Sequence, residues 1–240
     1  MTFSLKSLAV AVLLLSSVPA RQSAEAAAQN AAPADLEKVL AKLDASAKIF
    51  KSAQANVQWD TVTVAPIADT ESQVGTVLFA RGTSGDSEVA LHFRTDNGRP
   101  ITKDLVYAGG VGKMYTPGQL TIYKVGDNRS AMEAFLTLGF GGSGLDLKKS
   151  WTVTYAGNEA VNGAQAAKLQ LVPLDSKVAE STSKVFLWID MSKGVGVKQQ
   201  RFTTDGNYVV ITYTNIKLNS NVPDGAFDLK PPKGTQIINH

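Results

Sequence analysis

The stretch from Val185 to Tyr213 constrains this chain more than any other. It reads Val185-Phe186-Leu187-Trp188-Ile189-Asp190, a turn at Met191-Ser192-Lys193-Gly194, and a run from Val195 to Phe202. A second turn at Thr204-Asp205-Gly206-Asn207 leads into Tyr208-Val209-Val210-Ile211-Thr212-Tyr213. Short runs of β-branched and aromatic residues at hairpin spacing predict consecutive antiparallel strands. Two of these strands are apolar at both parities. Val185, Leu187 and Ile189 point one way and Phe186 and Trp188 the other, while Val209 and Ile211 oppose Val210. A half-solvated strand alternates apolar with polar, so these strands are covered on both faces. Either protein covers both, or one face lines an apolar hollow.

The period-two pattern begins far upstream. Val57, Trp59, Thr61 and Thr63 alternate with Gln58, Asp60 and Val62, and runs follow at Gly75–Phe79, Val89–Phe93, Leu105–Tyr107, Lys113–Tyr115 and Leu120–Tyr123. Trp151–Tyr155 and Ala167–Val172 then lead into the hairpins above. Many short strands with short turns predict an antiparallel meander. With 240 residues, 44% of them hydrophobic, the chain suits a single domain, placed here over residues 35–240.

Two helices interrupt or precede the strands. Asp35 stands where an N-cap belongs, and Leu36, Val39, Leu40, Leu43, Ala47 and Phe50 follow as one apolar stripe over about five turns. Further on, Ser130-Ala131-Met132-Glu133 reads as a capping box opening a second, shorter helix. It carries Met132, Phe135, Leu136, Leu138 and Phe140, then Gly139, Gly141 and Gly142. A greasy helix of roughly two turns is unstable alone in water and must lie on something apolar. It is either a fixed plug or a lid, and the glycines at 139, 141 and 142 favour a lid with a hinge.

The N-terminus has the form of a secretory leader: Lys6, an apolar block from Leu8 to Leu15, then small residues, with Val18-Pro19-Ala20 or Ala24-Glu25-Ala26 as cleavage sites. The expected division is a leader over residues 1–26, a linker over 27–34, and an exported domain. There is no cysteine, which excludes disulfides, thiolate chemistry and acylation of the chain itself. The lysines are scattered, without the clustering that nucleic acid needs.

Catalytic signatures are lacking. The two histidines, His92 and His240, have no companion in the sequence, so neither a metal site nor a triad is expected. Gly109-Gly110-Val111-Gly112-Lys113 resembles a phosphate loop, but Tyr107 holds its first glycine position and Met114 follows the lysine. Gly141-Gly142-Ser143-Gly144-Leu145 imitates a nucleophile elbow without the last glycine. The expectation is a protein that is not an enzyme and takes no cofactor or metal.

The closing run Ala226-Phe227-Asp228-Leu229-Lys230-Pro231-Pro232-Lys233-Gly234-Thr235-Gln236-Ile237-Ile238 resembles the end of LolA-type outer-membrane lipoprotein carriers. Leu187-Trp188-Ile189-Asp190 with its glycine turn, followed by Asp205-Gly206, is similar to that family's repeated hairpin. So is the strand–turn–strand from Leu105 to Pro117, although the usual Asp-Gly turn is missing. Gly75 and Arg81 match the family's Gly-to-Arg spacing, although Gly82 replaces the usual proline. The resemblance implies a mainly β fold with an α cap: a strongly curved antiparallel sheet forming an unclosed barrel, its concave face covered by helices. It implies a monomeric carrier that holds lipoprotein acyl chains beneath that cap. An inner-membrane release transporter would load it and an outer-membrane acceptor lipoprotein would unload it.

On that reading Leu40, Leu43 and Phe50 of the first helix, and Met132, Phe135, Leu136 and Phe140 of the second, form the cavity roof. Val185, Leu187 and Ile189 form its floor, and Arg81 holds the closed cap through backbone carbonyls. A carrier of free lipid or glycolipid, or a non-enzymatic sensor or scaffold of the same fold, is the alternative.

Overall fold

The structure, a computed structural model, describes residues 20–82, 85–124, 126, 135–136 and 138–240, with side chains from residue 35 onward. Helix α1 (Ala20–Ile49) leads into β1 (Ser52–Thr63), β2 (Asp69–Arg81), β3 (Ser87–Asp96), β4 (Arg99–Ala108), β5 (Val111–Thr116) and β6 (Gln119–Lys124). A crossover segment that includes residues 135–136 and 138–142 precedes α2 (Gly144–Ser150), β7 (Trp151–Val161) and β8 (Ala164–Pro173). The short α3 (Ser176–Ala179), then β9 (Thr182–Asp190), β10 (Val195–Thr203), β11 (Tyr208–Leu218) and β12 (Gln236–Asn239) complete the chain.

Among the described residues all 12 strands lie in one sheet, in the order β12-β6-β5-β4-β3-β2-β1-β11-β10-β9-β8-β7. The sheet is strongly curved and does not close. It consists of two meanders, β1–β6 and β7–β11, joined where β1 pairs β11 with Val57 opposite Tyr213 and Trp59 opposite Ile211. Neighbours are antiparallel except β12, which runs parallel to β6 as an edge strand, in keeping with its proline-broken approach.

Helix α1 presents the expected stripe. Val39, Leu40 and Leu43 are buried against Leu169, Leu171, Val185, Leu187 and Ile189 of β8 and β9, together with Leu147 of α2 and Trp151. Burying each such side chain contributes about 1.5–3 kcal/mol, so this layer is one of the two large stores of stability, beside the cluster around Phe50, Phe79 and Phe140. The N-terminal boundary differs from expectation. The helix begins at Ala20, so residues 27–34 are helical rather than a linker, and Asp35 lies inside the helix with its carboxylate accepting from Lys38 Nζ at 3.0 Å. Ala and Gln are good helix formers, and an upstream segment rich in them lets the helix run on past an internal aspartate.

The outer face of β9 is covered without a second protein layer. Phe186 and Trp188 cluster with Val161, Ala166 and Val197, and the indole donates from Nε1 to Glu159 Oε2 at 2.8 Å. The stems of Lys168 and Lys198 lie over Trp188, their ammonium groups 4.9 and 4.6 Å from the ring centre. On the outer face of β2–β4, the segment after β11 lays Val222, Ala226, Phe227 and Leu229 over Leu78, Ala90 and Val106.

The sheet's bend has a local cause. At Gly75 the β2–β3 register shifts, and a Cβ there would stand 2.0 Å from the His92 carbonyl oxygen. No side chain fits, so β3 crosses β2 at close range and carries Phe93 inward to meet Trp59 edge-on at 6.1 Å. Gly75→Ala should therefore cost far more than Thr76→Ala one residue on. In urea melts we expect a loss of at least about 2–3 kcal/mol, or failure to fold, for the first, against under about 1 kcal/mol for the second.

Candidate functional site

Helices α1 and α2 cover only the β7–β9 side of the concave face. Over the rest lies a cavity of about 690 Å³. Trp59, Phe79, Val89 and Leu91 line it from β1 to β3, and Val185, Val209, Ile211 and Tyr213 from β9 and β11. Phe135 and Leu136 of the crossover line it from the cap side. Every one is apolar or aromatic, because the strands that supply them carry large apolar residues at the inward parity.

Polar groups gather in two places. Beside Leu138, Gln199 of β10 is buried and donates from Nε2 to the Leu138 carbonyl at 2.7 Å and to the Tyr213 hydroxyl at 3.3 Å. Burial pushes the Tyr213 phenol well above its usual pKa, so it stays neutral. Phe140 stacks on Phe79 at 4.4 Å and meets Tyr213 edge-on at 5.0 Å, which fills the space beyond. The second place is near α3, where Lys177, Glu180, Ser181 and Arg201 line the cavity. Asp175 caps α3 by accepting from the Lys177 and Val178 amides, and Thr204 Oγ1 donates to the Glu180 carbonyl, so this rim is held in place. The Arg201 guanidinium lies 5.7 Å from the Phe135 ring centre, and desolvation holds its pKa below the ordinary arginine value.

Of the residues expected at the site, Phe135, Leu136 and Val185 line the cavity. Leu40, Leu43, Leu187 and Ile189 are instead packed in the layer under α1; they face the concave side, as expected, but have no open surface there. Phe50 and Phe140 are buried together with Phe79, outside the cavity wall. Arg81, at the end of β2, donates from Nη2 to the Gly141 carbonyl at 3.0 Å and so ties the crossover to the sheet. Met132, like the Ser130–Glu133 capping box, lies outside the described residues.

Two of the glycines expected to form a hinge lie at close contacts in this structure. Gly139 and Gly141 adopt left-handed φ of 85° and 75°, and a Cβ on either would collide, 2.7 Å from Gly196 Cα and 2.7 Å from the Phe50 ring respectively. Gly139 also accepts from the Gly196 amide at 2.7 Å. They are points where the crossover meets β10 and Phe50 too closely for a side chain. Gly142 follows these contacts and is half-buried, and Ser143 caps α2 in a reciprocal box with Asp146.

Sequence reasoning missed Trp59, Phe79, Val89, Leu91, Val209, Ile211 and Tyr213, whose inward parity was readable but whose neighbours across the sheet were not. Gln199 and Arg201 gave no signal, since polar residues on a strand ordinarily face water. His92 does have a companion: its Nδ1 lies 2.8 Å from Asp104 Oδ1, which also accepts from Arg94 at 2.7 Å. Among the described residues no group of three or more His, Cys, Asp or Glu could hold a metal ion.

No protein-family model and no curated protein matches the chain. Solved structures match its fold. An uncharacterized conserved protein from Thermus thermophilus superposes with a TM-score of 0.52 at 11% identity, over 85% of this chain and 98% of that one. MucB gives 0.49 at 14% identity over 85% of this chain and 66% of its own, so this chain spans about two thirds of MucB's length. A LolA superfamily protein from Nitrosomonas europaea gives 0.38 at 16% identity, over 80% of this chain and 97% of that one. At such identities the likeness is one of fold alone.

The packed and open halves of the concave face differ in what truncation costs. Leu43→Ala and Leu187→Ala empty filled space and should each cost about 2–5 kcal/mol in urea melts. Leu136→Ala, which removes atoms already facing a void, should cost less than either. Packed layer, open hollow and cap together give the mainly β fold that was expected, a curved sheet that does not close and carries helices over its concave face.

Proposed function

We propose that this chain is an exported, non-catalytic carrier that holds the acyl chains of lipidated cargo in its cavity and moves them through an aqueous compartment. The observation that carries this reading is the cavity itself, about 690 Å³ of mainly apolar space between a curved sheet and a cap. That volume is in the range of about 300–1,000 Å³ common for small-molecule sites. Each buried methylene contributes about 0.8 kcal/mol, so ten give on the order of 8 kcal/mol before the cost of ordering the chain. Mainly aliphatic and aromatic walls suit that purpose, with the ionisable side chains gathered at the α3 rim. The serine of the elbow-like segment is engaged in capping α2.

Loading and release fit the way the cap is fastened. Gly139 and Gly141 fix one end of the crossover, so Phe135 and Leu136 are the part that can lift while the clamp holds. The Arg81 hydrogen bond to Gly141 is exposed and worth only about 1–2 kcal/mol, so it strengthens the closed state without locking it. The leader-like N-terminus supports export, on this reading to the periplasm. Among the described residues no helix is long and apolar enough to cross a membrane. On this reading lipoproteins are the cargo, an inner-membrane release transporter the donor, and an outer-membrane lipoprotein the acceptor.

Solvent extraction of the natively purified protein, followed by mass spectrometry, should release acyl-bearing lipid. Phe135→Glu should abolish uptake of a fluorescent fatty-acid analogue while the β-rich circular dichroism stays intact. Uptake retained in that variant refutes the role given to Phe135. A wild-type protein that neither carries nor takes up lipid refutes the carrier, and a protein-binding sensor of the same fold takes its place.

A further inference from the structure

Arg201 is out of keeping with the wall that holds it. In register it lies between Val185 of β9 and Val209 of β11, both of which line the cavity, and Phe135 sits over its guanidinium at 5.7 Å. Among the described residues it has no hydrogen-bond or ion-pair partner. Glu180 is the one carboxylate on the cavity lining among those residues, and no ion pair forms between the two side chains; Lys177 adds a second cation on the same rim. A guanidinium remains charged under all ordinary conditions, and a cation placed on an apolar surface without an anion is costly. Valine at this position would continue the wall on either side without that cost. The cavity therefore has two chemically distinct ends. Trp59, Phe79, Leu91 and Ile211 offer mainly ring and hydrocarbon surface beside a Gln199 amide already bonded to Leu138 and Tyr213, and Arg201 offers a planar fork of donors with none of its capacity used by the described residues.

Resting on the carrier reading above, we infer that the cavity is built for an anionic amphiphile, a long hydrocarbon tail with a carboxylate or phosphate head, whose head pairs with Arg201. The fork matches either oxyanion in a bidentate pair, and the low-dielectric surroundings strengthen that pair relative to one in water. The tail runs from the α3 rim toward Phe79 and Trp59 beneath Phe135 and Leu136. Lys177 raises the positive potential at the rim, and Glu180 opposes it, which favours a head with at least one full negative charge. An uncharged acyl ester or alcohol would fill the same space and leave Arg201 unpaired.

The test compares palmitic acid, 1-palmitoyl lysophosphatidic acid and hexadecanol as competitors of a fluorescent acyl probe at about pH 8, where both acids are ionised. Wild-type protein should bind at least one of the two anions about tenfold or more tightly than hexadecanol, and which one wins separates a fatty-acid head from a phosphate head. In Arg201→Met, which keeps the apolar stem, hexadecanol should bind at least as tightly as to the wild type and the preference for the anion should be lost. Equal binding of acids and alcohol by the wild type overturns the inference and leaves the carrier standing. So does a preference that survives in Arg201→Met. Failure of the wild type to bind any of the three overturns the carrier reading as well.

Discussion

The Gly196 amide donates to the Gly139 carbonyl across 2.7 Å, and the two glycines meet with no side chain between them. That contact pins the crossover onto the start of β10. On one side of it, α1 and α2 fill the curve of the sheet with Leu40, Leu43 and Leu147. On the other, among the described residues, Phe135 and Leu136 reach over, and they do not fill what lies beneath. The division into packed and open halves follows from where the chain is clamped. Leu138 and Phe140 flank Gly139 and are both buried, so the clamp is anchored on each side by aliphatic or aromatic packing.

The open half persists because the sheet is wider than its cover. A sheet of 12 strands has more concave surface than one helix of ordinary width and a two-turn companion can mask. Curvature narrows the gap without closing it, since bringing strands inward at Gly75 drives Phe93 and Trp59 toward each other and toward the hollow. Apolar side chains facing such a hollow lose dispersion contacts that a filled core would supply. A protein built this way gives up stability in its resting form, which a hydrocarbon bound there would restore.

Much of this was legible in the chain. Strands apolar at both parities required cover on both faces, and Val185, Leu187 and Ile189 do face the concave side together. What sequence could not supply was the distance along a strand at which packing gives way to space. Val185 lines the cavity while Leu187, two residues on in the same row, is sealed beneath α1, and nothing in either residue marks the difference. Strand β10 was opaque for another reason. A bulge between Gly196 and Lys198 shifts the alternation, so Gln199 and Arg201 turn inward where a polar run suggests an outward face. The outer face of β9 also misled, because lysine stems over Trp188 provide the cover expected of a second layer.

The seam between β1 and β11 sets how such a molecule can form. Each meander is made of near neighbours in sequence and can curl as soon as it is synthesised. Val57 and Tyr213 lie at far separated points of the chain, and their strands meet only after both meanders exist. Joining them is the long-range step, slow because a large loop must close before its contacts offset the ordering. Until it happens, each half shows a concave apolar surface to water. The nascent protein is then stickiest to the very hydrocarbon-bearing molecules that its finished form would keep enclosed.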